Sequence, residues 1–155
     1  MPIRTRLVPV LAAALIALAP GPLFAVDTDV APALSSDHAA GKRAIEARDW
    51  NSAISSLTKA AQRDSRNADI QNLLGYAYRN SGKLEPAFNH YQRALELDPR
   101  HMGAHEYIGE AYLQANNPAK AEEHLAALKR YCKTAACEEY ADLSKKIDQY
   151  RARAK

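Results

Sequence analysis

The sequence of 155 residues has few of the features that indicate covalent chemistry or membrane insertion. Its 2 cysteines are too few to hold a small protein together by disulfides, and it has neither a Cys-x-x-Cys pair nor a His-Glu-x-x-His motif. Beyond the N-terminal segment, no apolar run approaches the ~20 residues of a membrane-spanning helix, which excludes a polytopic membrane protein. The chain also has little excess charge of either sign, because its 21 Lys and Arg and 18 Asp and Glu give a net charge of only +3. The composition therefore gives no electrostatic argument for nucleic acid as a partner.

The N-terminal segment differs in composition from the rest of the chain. Arg4 and Arg6 precede an apolar stretch over residues 7–19, and no acidic residue accompanies them. This pattern predicts a signal peptide over residues 1–25, because the stretch is too short for the alternative, an uncleaved membrane anchor. We expect a protein secreted across the inner membrane, periplasmic in a Gram-negative bacterium, with no stable membrane insertion after cleavage. Residues 26–35 contain turn formers and are expected to be a linker.

The body of the chain repeats itself with a period of 34 residues. At four positions of the repeat, the three copies carry the same or a similar apolar or small residue. These positions are Gly41, Gly75 and Gly109; Ala53, Ala87 and Ala121; Leu57, Tyr91 and Leu125; Ala60, Ala94 and Leu128. Apolar residues follow helical spacing within each copy, so each copy is predicted to be a pair of helices. A glycine inside a helix costs about 1 kcal/mol relative to alanine. We therefore expect the glycines to face the alanines across a close helix crossing, with Tyr91 or Leu125 filling the gap to the next hairpin.

The second copy resembles the tetratricopeptide repeat (TPR) family in nearly its whole pattern, with Leu74-Gly75, Tyr78, Ala87, Tyr91, Ala94 and Pro99. The third copy keeps Gly109, Tyr112 and Ala121, and the first is the most divergent. The resemblance covers about residues 34–135. It implies an all-α fold, a TPR-type right-handed superhelix of three helix-turn-helix repeats within residues 36–133. The repeats are expected at about residues 34–67, 68–101 and 102–135.

One more helix is predicted after the repeats, within residues 134–155, where the chain ends in a basic tail. Tyr140, Leu143, Ile147 and Tyr150 recur at spacings of three and four residues. A stack of repeats needs an atypical element to cover its last apolar face. This segment is therefore expected to be a capping helix.

Cys132 and Cys137 are the only candidates for covalent chemistry. Five residues apart on one unbroken helix, they would lie beyond the usual reach of a disulfide, so a bridge requires the helix to end between them. In an oxidising compartment, a structural disulfide is the favoured interpretation. Free buried thiols, and a redox or metal-handling role, are the alternatives.

Two pairs of side chains have the spacing of ligands or of an acid and a base. His101 and His105 stand four residues apart, as do Glu106 and Glu110. No third metal ligand, nucleophile or phosphate-binding loop accompanies them. We interpret the histidines as surface residues and predict no catalytic residue, no metal, no cofactor and no enzymatic activity.

In TPR proteins the first helices of the repeats line a concave groove, so the resemblance implies a partner-binding face. The residues expected there are Lys42, Asn72, Tyr76, Arg79, Asn80, Glu106 and Glu110. Some TPR domains hold the terminal carboxylate of a chaperone with a set of Lys, Asn and Arg. Here Leu73, Gly103 and Tyr107 stand at or next to the positions where that clamp needs polar groups, so the resemblance does not extend to it. We expect Tyr76 and Arg79 to matter most for binding and to lie outside the packing set of Gly75, Ala87 and Tyr91.

The function predicted from the sequence is that of a non-enzymatic TPR adaptor or scaffold that binds a peptide segment or protein in its groove. A redox or metal-handling accessory protein that uses Cys132 and Cys137 is one alternative. A subunit of an envelope assembly that uses its outer face is the other.

Overall fold

The computed structural model describes residues 30–132 and 137–153. The predicted signal peptide over residues 1–25 lies outside the described residues. The predicted linker does not extend past Val30, where the first helix begins. Pro32 falls in the first turn of that helix, where the N–H that proline lacks would have no partner within the helix. The turn formers in this segment therefore do not prevent helix formation.

The described residues form helices and contain no strand. The helices are α1 (Val30–Glu46), α2 (Trp50–Arg63), α3 (Ala68–Asn80), α4 (Leu84–Leu97), α5 (Met102–Gln114), α6 (Pro118–Tyr131) and α7 (Glu138–Arg153). Helices α1 to α6 form three hairpins, and α7 follows them. The predicted all-α fold of three helical hairpins and one further helix is confirmed. None of the described helices is both long enough and apolar enough to cross a bilayer.

The turn inside each hairpin repeats with the period of the sequence. Arg48, Gly82 and Asn116, spaced by 34 residues, have φ angles of 56°, 81° and 58°. In the first hairpin, the Asp49 N–H donates to the Ala44 carbonyl oxygen at 2.8 Å, and the equivalent bonds in the other two measure 2.9 and 2.8 Å. A left-handed residue at this point reverses the chain and satisfies a carbonyl at the helix end. The three hairpins are therefore closed by one kind of turn.

Side chains at the helix N-termini accept the backbone N–H groups that have no partner within the helix. Asp49 accepts from Ser52, Asn67 from Ile70 and Asn117 from Lys120. His101 does the same for α5, because its Nδ1 accepts from the Ala104 N–H at 3.2 Å. Such caps each stabilise a helix by about 1 kcal/mol. They fix where the helices begin.

The repeated glycines make room for a large side chain, and not for the alanines that the sequence suggested. A Cβ added to Gly75 would lie 2.5 Å from the Tyr91 ring, and one added to Gly41 would lie 2.5 Å from Leu57. Tyr91 and Leu57 are fully buried. Each of these two glycines therefore allows a large, fully buried side chain of the second helix to lie directly against the first.

The third hairpin departs from this arrangement. A Cβ on Gly109 would lie 2.6 Å from Leu143 of α7. Leu143 of α7, and not a side chain of α6, therefore lies against Gly109, while Leu125 packs partly buried against the same core cluster as Leu143 and Ile147. Leu143 and Ile147 pack with Ala121 and Leu128 in one core cluster, so α7 covers the last hairpin as the predicted capping helix.

A disulfide joins the end of α6 to the start of α7. The structure links Cys132, the C-cap of α6, to Cys137, and their Cα atoms lie 5.8 Å apart. Helix α6 ends at Tyr131, before the bridge. The bridge therefore ties the capping helix to the last repeat through a short loop.

We predict that Gly75→Ala lowers the free energy of unfolding by about 1–2 kcal/mol. Overpacking against the buried Tyr91 ring costs about 1–3 kcal/mol, and the better helix propensity of alanine recovers only about 1 kcal/mol. Urea unfolding followed by circular dichroism measures the change. Gly103→Ala is the matched control, because its Cβ would lie 3.3 Å from the end of the Asn72 side chain and 3.7 Å from the His101 ring, without a collision. Equal losses in the two variants would contradict the packing role of Gly75.

Candidate functional site

A groove of about 460 Å³ crosses the first helices of the second and third hairpins and continues onto α7. Its lining residues are Tyr76, Arg79 and Asn80 of α3, Glu106, Tyr107, Glu110 and Gln114 of α5, and Asp142 and Lys146 of α7. The structure thus brings together five of the seven residues predicted to bind a partner. The other two, Lys42 and Asn72, lie elsewhere.

Lys42 and Asn72 line a separate depression of about 260 Å³ between α1 and α3, together with His38, Asp69 and Leu73. Lys42 is exposed there, whereas Asn72 is buried. The Asn72 Oδ1 and His38 Nε2 atoms are buried without a hydrogen-bond partner among the described residues. Such orphaned polar atoms are costly to the stability of the fold.

The Arg79 side chain is fully engaged inside the protein. It is 7% exposed, its Nε donates to the Tyr91 hydroxyl at 3.3 Å, and its Nη1 donates to Glu110 at 2.7 Å. The expectation that Arg79 lies outside the packing set of Gly75, Ala87 and Tyr91 is therefore wrong. One pattern in the sequence was consistent with this contact, because Arg79 lies one helical turn after Gly75 and so on the same face of α3 as the glycine that Tyr91 packs against.

Three aromatic rings, those of Trp50, Tyr76 and Tyr107, stand in a row, and the two tyrosines line the groove. The centroids of Trp50 and Tyr76 are 6.2 Å apart, and those of Tyr76 and Tyr107 are 4.9 Å apart. The Arg79 guanidinium carbon lies 5.4 Å from the Tyr76 centroid and 5.9 Å from that of Tyr107, within the range of cation–π attraction. Burial raises the pKa of Tyr107 to about 12, so its hydroxyl stays protonated at physiological pH.

Asn80 is exposed at the end of α3. Its Nδ2 donates to the backbone carbonyl of Tyr76 at 2.8 Å. This bond holds the amide over the groove-facing side of its own helix. The remaining donor and acceptor capacity of the amide is available to a ligand.

Glu106 has an unusual environment for a carboxylate. It is 9% exposed, and burial, followed by the charges of Glu110, Asp142 and Glu139, raises its pKa to about 7. No hydrogen bond to its carboxylate comes from the described residues to offset this cost. Glu106 is thus partly protonated near neutral pH.

Helix α7 contributes to the groove, although only a capping role was predicted for it. Asp142 and Lys146 line the groove. Lys146 also borders a neighbouring depression with Gln149 and Arg153. Along α7 the spacings are four, three and four residues for Asp142, Lys146, Gln149 and Arg153, so these residues form one stripe beside the apolar face of the helix. That spacing was the available signal.

His105 is not the surface residue that the sequence suggested. It is 8% exposed, its Nε2 lies 3.1 Å from the Pro99 carbonyl oxygen, and its Nδ1 lies 2.9 Å from Nδ1 of His124. Because a carbonyl only accepts, Nε2 of His105 carries the proton, and Nδ1 of neutral His105 accepts from His124. Burial and the neighbouring His105 lower the pKa of His124 to about 4. Both rings are therefore neutral at pH 7.

The described part of the chain brings together no group of three or more His, Cys, Asp or Glu placed to hold a metal ion. His101 instead caps α5, and its Nε2 lies 3.0 Å from Asp69. The two histidines therefore serve separate structural contacts.

We predict that Arg79→Ala lowers the free energy of unfolding by about 3 kcal/mol, because it leaves Glu110 half-buried without its cation. Arg79→Lys should recover only part of the loss, since an ammonium cannot reach both Tyr91 and Glu110 with fixed geometry. Urea unfolding measures both variants. Arg93→Ala is the control: its pair with Glu96 is exposed, so its loss should stay below about 1 kcal/mol. Similar small losses for Arg79→Ala and Arg93→Ala would refute the buried pair.

We also predict that stability falls as the pH drops from about 6.5 toward 4, and that His124→Gln reduces this fall. A histidine whose folded pKa is lowered binds its proton more readily in the unfolded chain, so its contribution is present above the unfolded pKa of 6.5 and declines below it. Urea midpoints at pH 7.5, 6, 5 and 4.5 measure the effect. Lys129→Gln, an exposed change on the same helix, should leave the pH profile parallel to wild type. A His124→Gln profile identical to wild type would contradict the assignment.

Two family models match the chain. Residues 75–116 match a model described as TPR repeat, and residues 38–89 match one described as Tetratricopeptide repeat. Over 75 residues the chain is 31% identical to Protein O-mannosyl-transferase Tmtc3 of Drosophila melanogaster and to TMTC3 of Homo sapiens. That match covers 48% of this chain but only 8% of the length of these relatives.

Solved TPR structures share the fold. PcrH, in complex with the chaperone binding region of PopD, superimposes with a TM-score of 0.71 at 20% identity, over 81% of this chain and 96% of that one. The TPR2B domain of yeast Sti1, in a complex with pHsp70, gives 0.67 at 21% identity over 79% and 96%. At these identities the likeness concerns the fold alone. Together the two family models span residues 38–116, about half of the sequence, and this chain therefore belongs to the tetratricopeptide repeat family.

Proposed function

We propose that this chain is a non-enzymatic adaptor that binds a peptide segment of a partner protein in the groove across α3, α5 and α7. The observation that carries the proposal is the convergence of three helices on one groove lined by half-buried tyrosines and by polar groups. Tyrosine rings contribute a large contact area at low conformational cost, and they are frequent at the centre of interfaces.

The solved relatives support a peptide or protein ligand. PcrH was solved with a region of PopD, and the Sti1 domain with pHsp70. The O-mannosyl-transferase name supports no sugar-transfer activity here, because the chain matches only 8% of that protein. A TPR domain is a recognition module, and none of the described groove residues forms a nucleophile–base pair.

We further propose that the protein is exported and works in the periplasm. The basic and then apolar N-terminal segment supports export. The bridge between Cys132 and Cys137 also supports it, since disulfides persist in oxidising compartments.

The outer face is the second candidate surface. A depression of about 400 Å³ there is lined by Gln92, Leu95, Glu96, Ile108, Tyr112 and His124, and it would suit an assembly contact. A redox role for the cysteines has less support, because their spacing is not the Cys-x-x-Cys spacing of redox motifs.

We predict that a photo-crosslinking amino acid placed at Asn80 or Gln114 captures the partner in the host cell. The same probe at Gln92 or Lys129, on the outer face, should capture far less, because these positions lie away from the groove. Immunoblotting for adducts of the full chain makes the comparison.

Tyr76→Ala combined with the probe at Gln114 should lower the adduct yield about fivefold, which corresponds to about 1 kcal/mol. Gln92→Ala is the matched control on the outer face. Circular dichroism checks that both variants are folded. Adducts formed only from Gln92 and Lys129 would overturn groove binding and favour the assembly alternative.

A further inference from the structure

The lining of the groove carries an excess of negative charge. Glu106, Glu110 and Asp142 face it, against the cations Arg79 and Lys146. Arg79 is already bonded to Glu110 at 2.7 Å. The charge that remains for a ligand to meet is therefore acidic, and it is concentrated between α5 and α7.

Glu106 is the carboxylate that this arrangement leaves without a partner. It is 9% exposed, it lines the groove, and no described residue donates a hydrogen bond to it. Removing a carboxylate from water without a cation or a donor is expensive, and free proteins avoid that cost by protonation. A site that keeps such a group in a groove is completed when a ligand supplies the missing charge.

The protein itself shows which cation this surface accommodates. The Arg79 guanidinium lies over the rings of Tyr76 and Tyr107 while it donates to Glu110. Tyrosine faces and carboxylates together attract a cation on a flexible stem. Beside Glu106 the same kinds of group occur, namely the Tyr107 side chain and the carboxylate of Asp142, without an internal cation bonded to them.

A metal ion fits this place less well than an organic cation. The described residues bring together no three potential metal ligands of the His, Cys, Asp and Glu types. An anionic ligand would meet repulsion from Glu106 and Asp142. Charge complementarity thus favours a basic side chain as the group that binds beside Glu106.

We propose that the partner peptide carries a lysine or arginine whose side chain docks beside Glu106, between α5 and α7. This inference rests on the proposed function, because it names the chemistry of the peptide that the groove binds. The charged groups facing Glu106 are Glu110 of its own helix, Arg79 of α3, and Glu139 and Asp142 of α7. Lys146 stands at the rim of the groove, one helical turn from Asp142, so it competes with the incoming cation.

The experiment selects phage-displayed dodecapeptides on the full chain and then compares synthetic pairs in which the selected Lys is replaced by norleucine. Norleucine keeps the stem of lysine and removes its charge. We expect selected peptides rich in Lys or Arg, and about tenfold weaker binding of the norleucine peptide by calorimetry. Glu106→Gln should weaken the Lys peptide to the same degree and leave the norleucine peptide unchanged. Lys146→Met should strengthen the Lys peptide alone.

The pH dependence of peptide affinity provides a second readout. Affinity for the Lys peptide should rise between pH 6 and pH 8, as Glu106 loses its proton, and Glu106→Gln should abolish that rise. Glu123→Gln, an exposed acid on the outer helix α6, is the control and should behave as wild type. Should Glu106→Gln lose its helical signal, Asp142→Asn provides the same comparison from α7.

The results distinguish failure of the basic-peptide inference from failure of groove binding. Equal affinity of the Lys and norleucine peptides, or discrimination between them that survives in Glu106→Gln, would overturn the basic-peptide inference while leaving groove binding intact. Selection of acidic peptides would do the same. If no selected peptide is weakened by Tyr76→Ala, groove binding itself fails, and the inference fails with it.

Discussion

The contact of the Tyr91 ring with Gly75 connects the core of the protein to the groove across α3, α5 and α7. The ring lies where a Cβ on Gly75 would collide with it, so it can be fully buried between α3 and α4. Its hydroxyl reaches far enough to accept from Arg79, which in turn holds Glu110 on the next repeat. A packing requirement of one hairpin thereby sets the position of charged side chains on two helices of the groove.

This connection has an energetic consequence for the groove. Because Arg79 is occupied by Tyr91 and Glu110, it gives rigidity to the surface and contributes little free charge to a ligand. Preorganised side chains lose less entropy when a ligand arrives. Glu106 represents the opposite case, because its buried carboxylate lowers stability unless it is protonated or meets a cation.

The sequence was sufficient for the fold because a 34-residue period constrains many positions at once. The glycines Gly41, Gly75 and Gly109 recur in three copies, as do the buried alanines of the second helices, so an error at a single position does not change the predicted fold. The groove was predicted in part, since helical spacing places Tyr76, Arg79 and Asn80 on one face of α3. Whether Arg79 points to solvent or bonds to Tyr91 depends on the distance between two helices, which spacing along one helix does not contain.

The departures arise where the repeat pattern ends. Asp142 and Lys146 lie beyond the last repeat, and Leu143 replaces Leu125 against Gly109 because α7 approaches α5 from outside the repeating unit. At the other end, α1 extends to Val30 because a proline in a first turn is compatible with a helix. At the C-terminal end, a neighbour that has no counterpart within the repeat decides the structure.

The packing of Gly109 against Leu143 also bears on how many hairpins such a protein can contain. Every described helix contacts only helices one or two places away in the chain, so an added or deleted hairpin disturbs a single junction. The capping helix needs a glycine at one position, which all three hairpins have, but it also contacts Leu128 and is bridged to Cys132, which only the third hairpin has. The third hairpin and its cap therefore form one unit, and the length of the groove is open to variation by duplication of the hairpins before it.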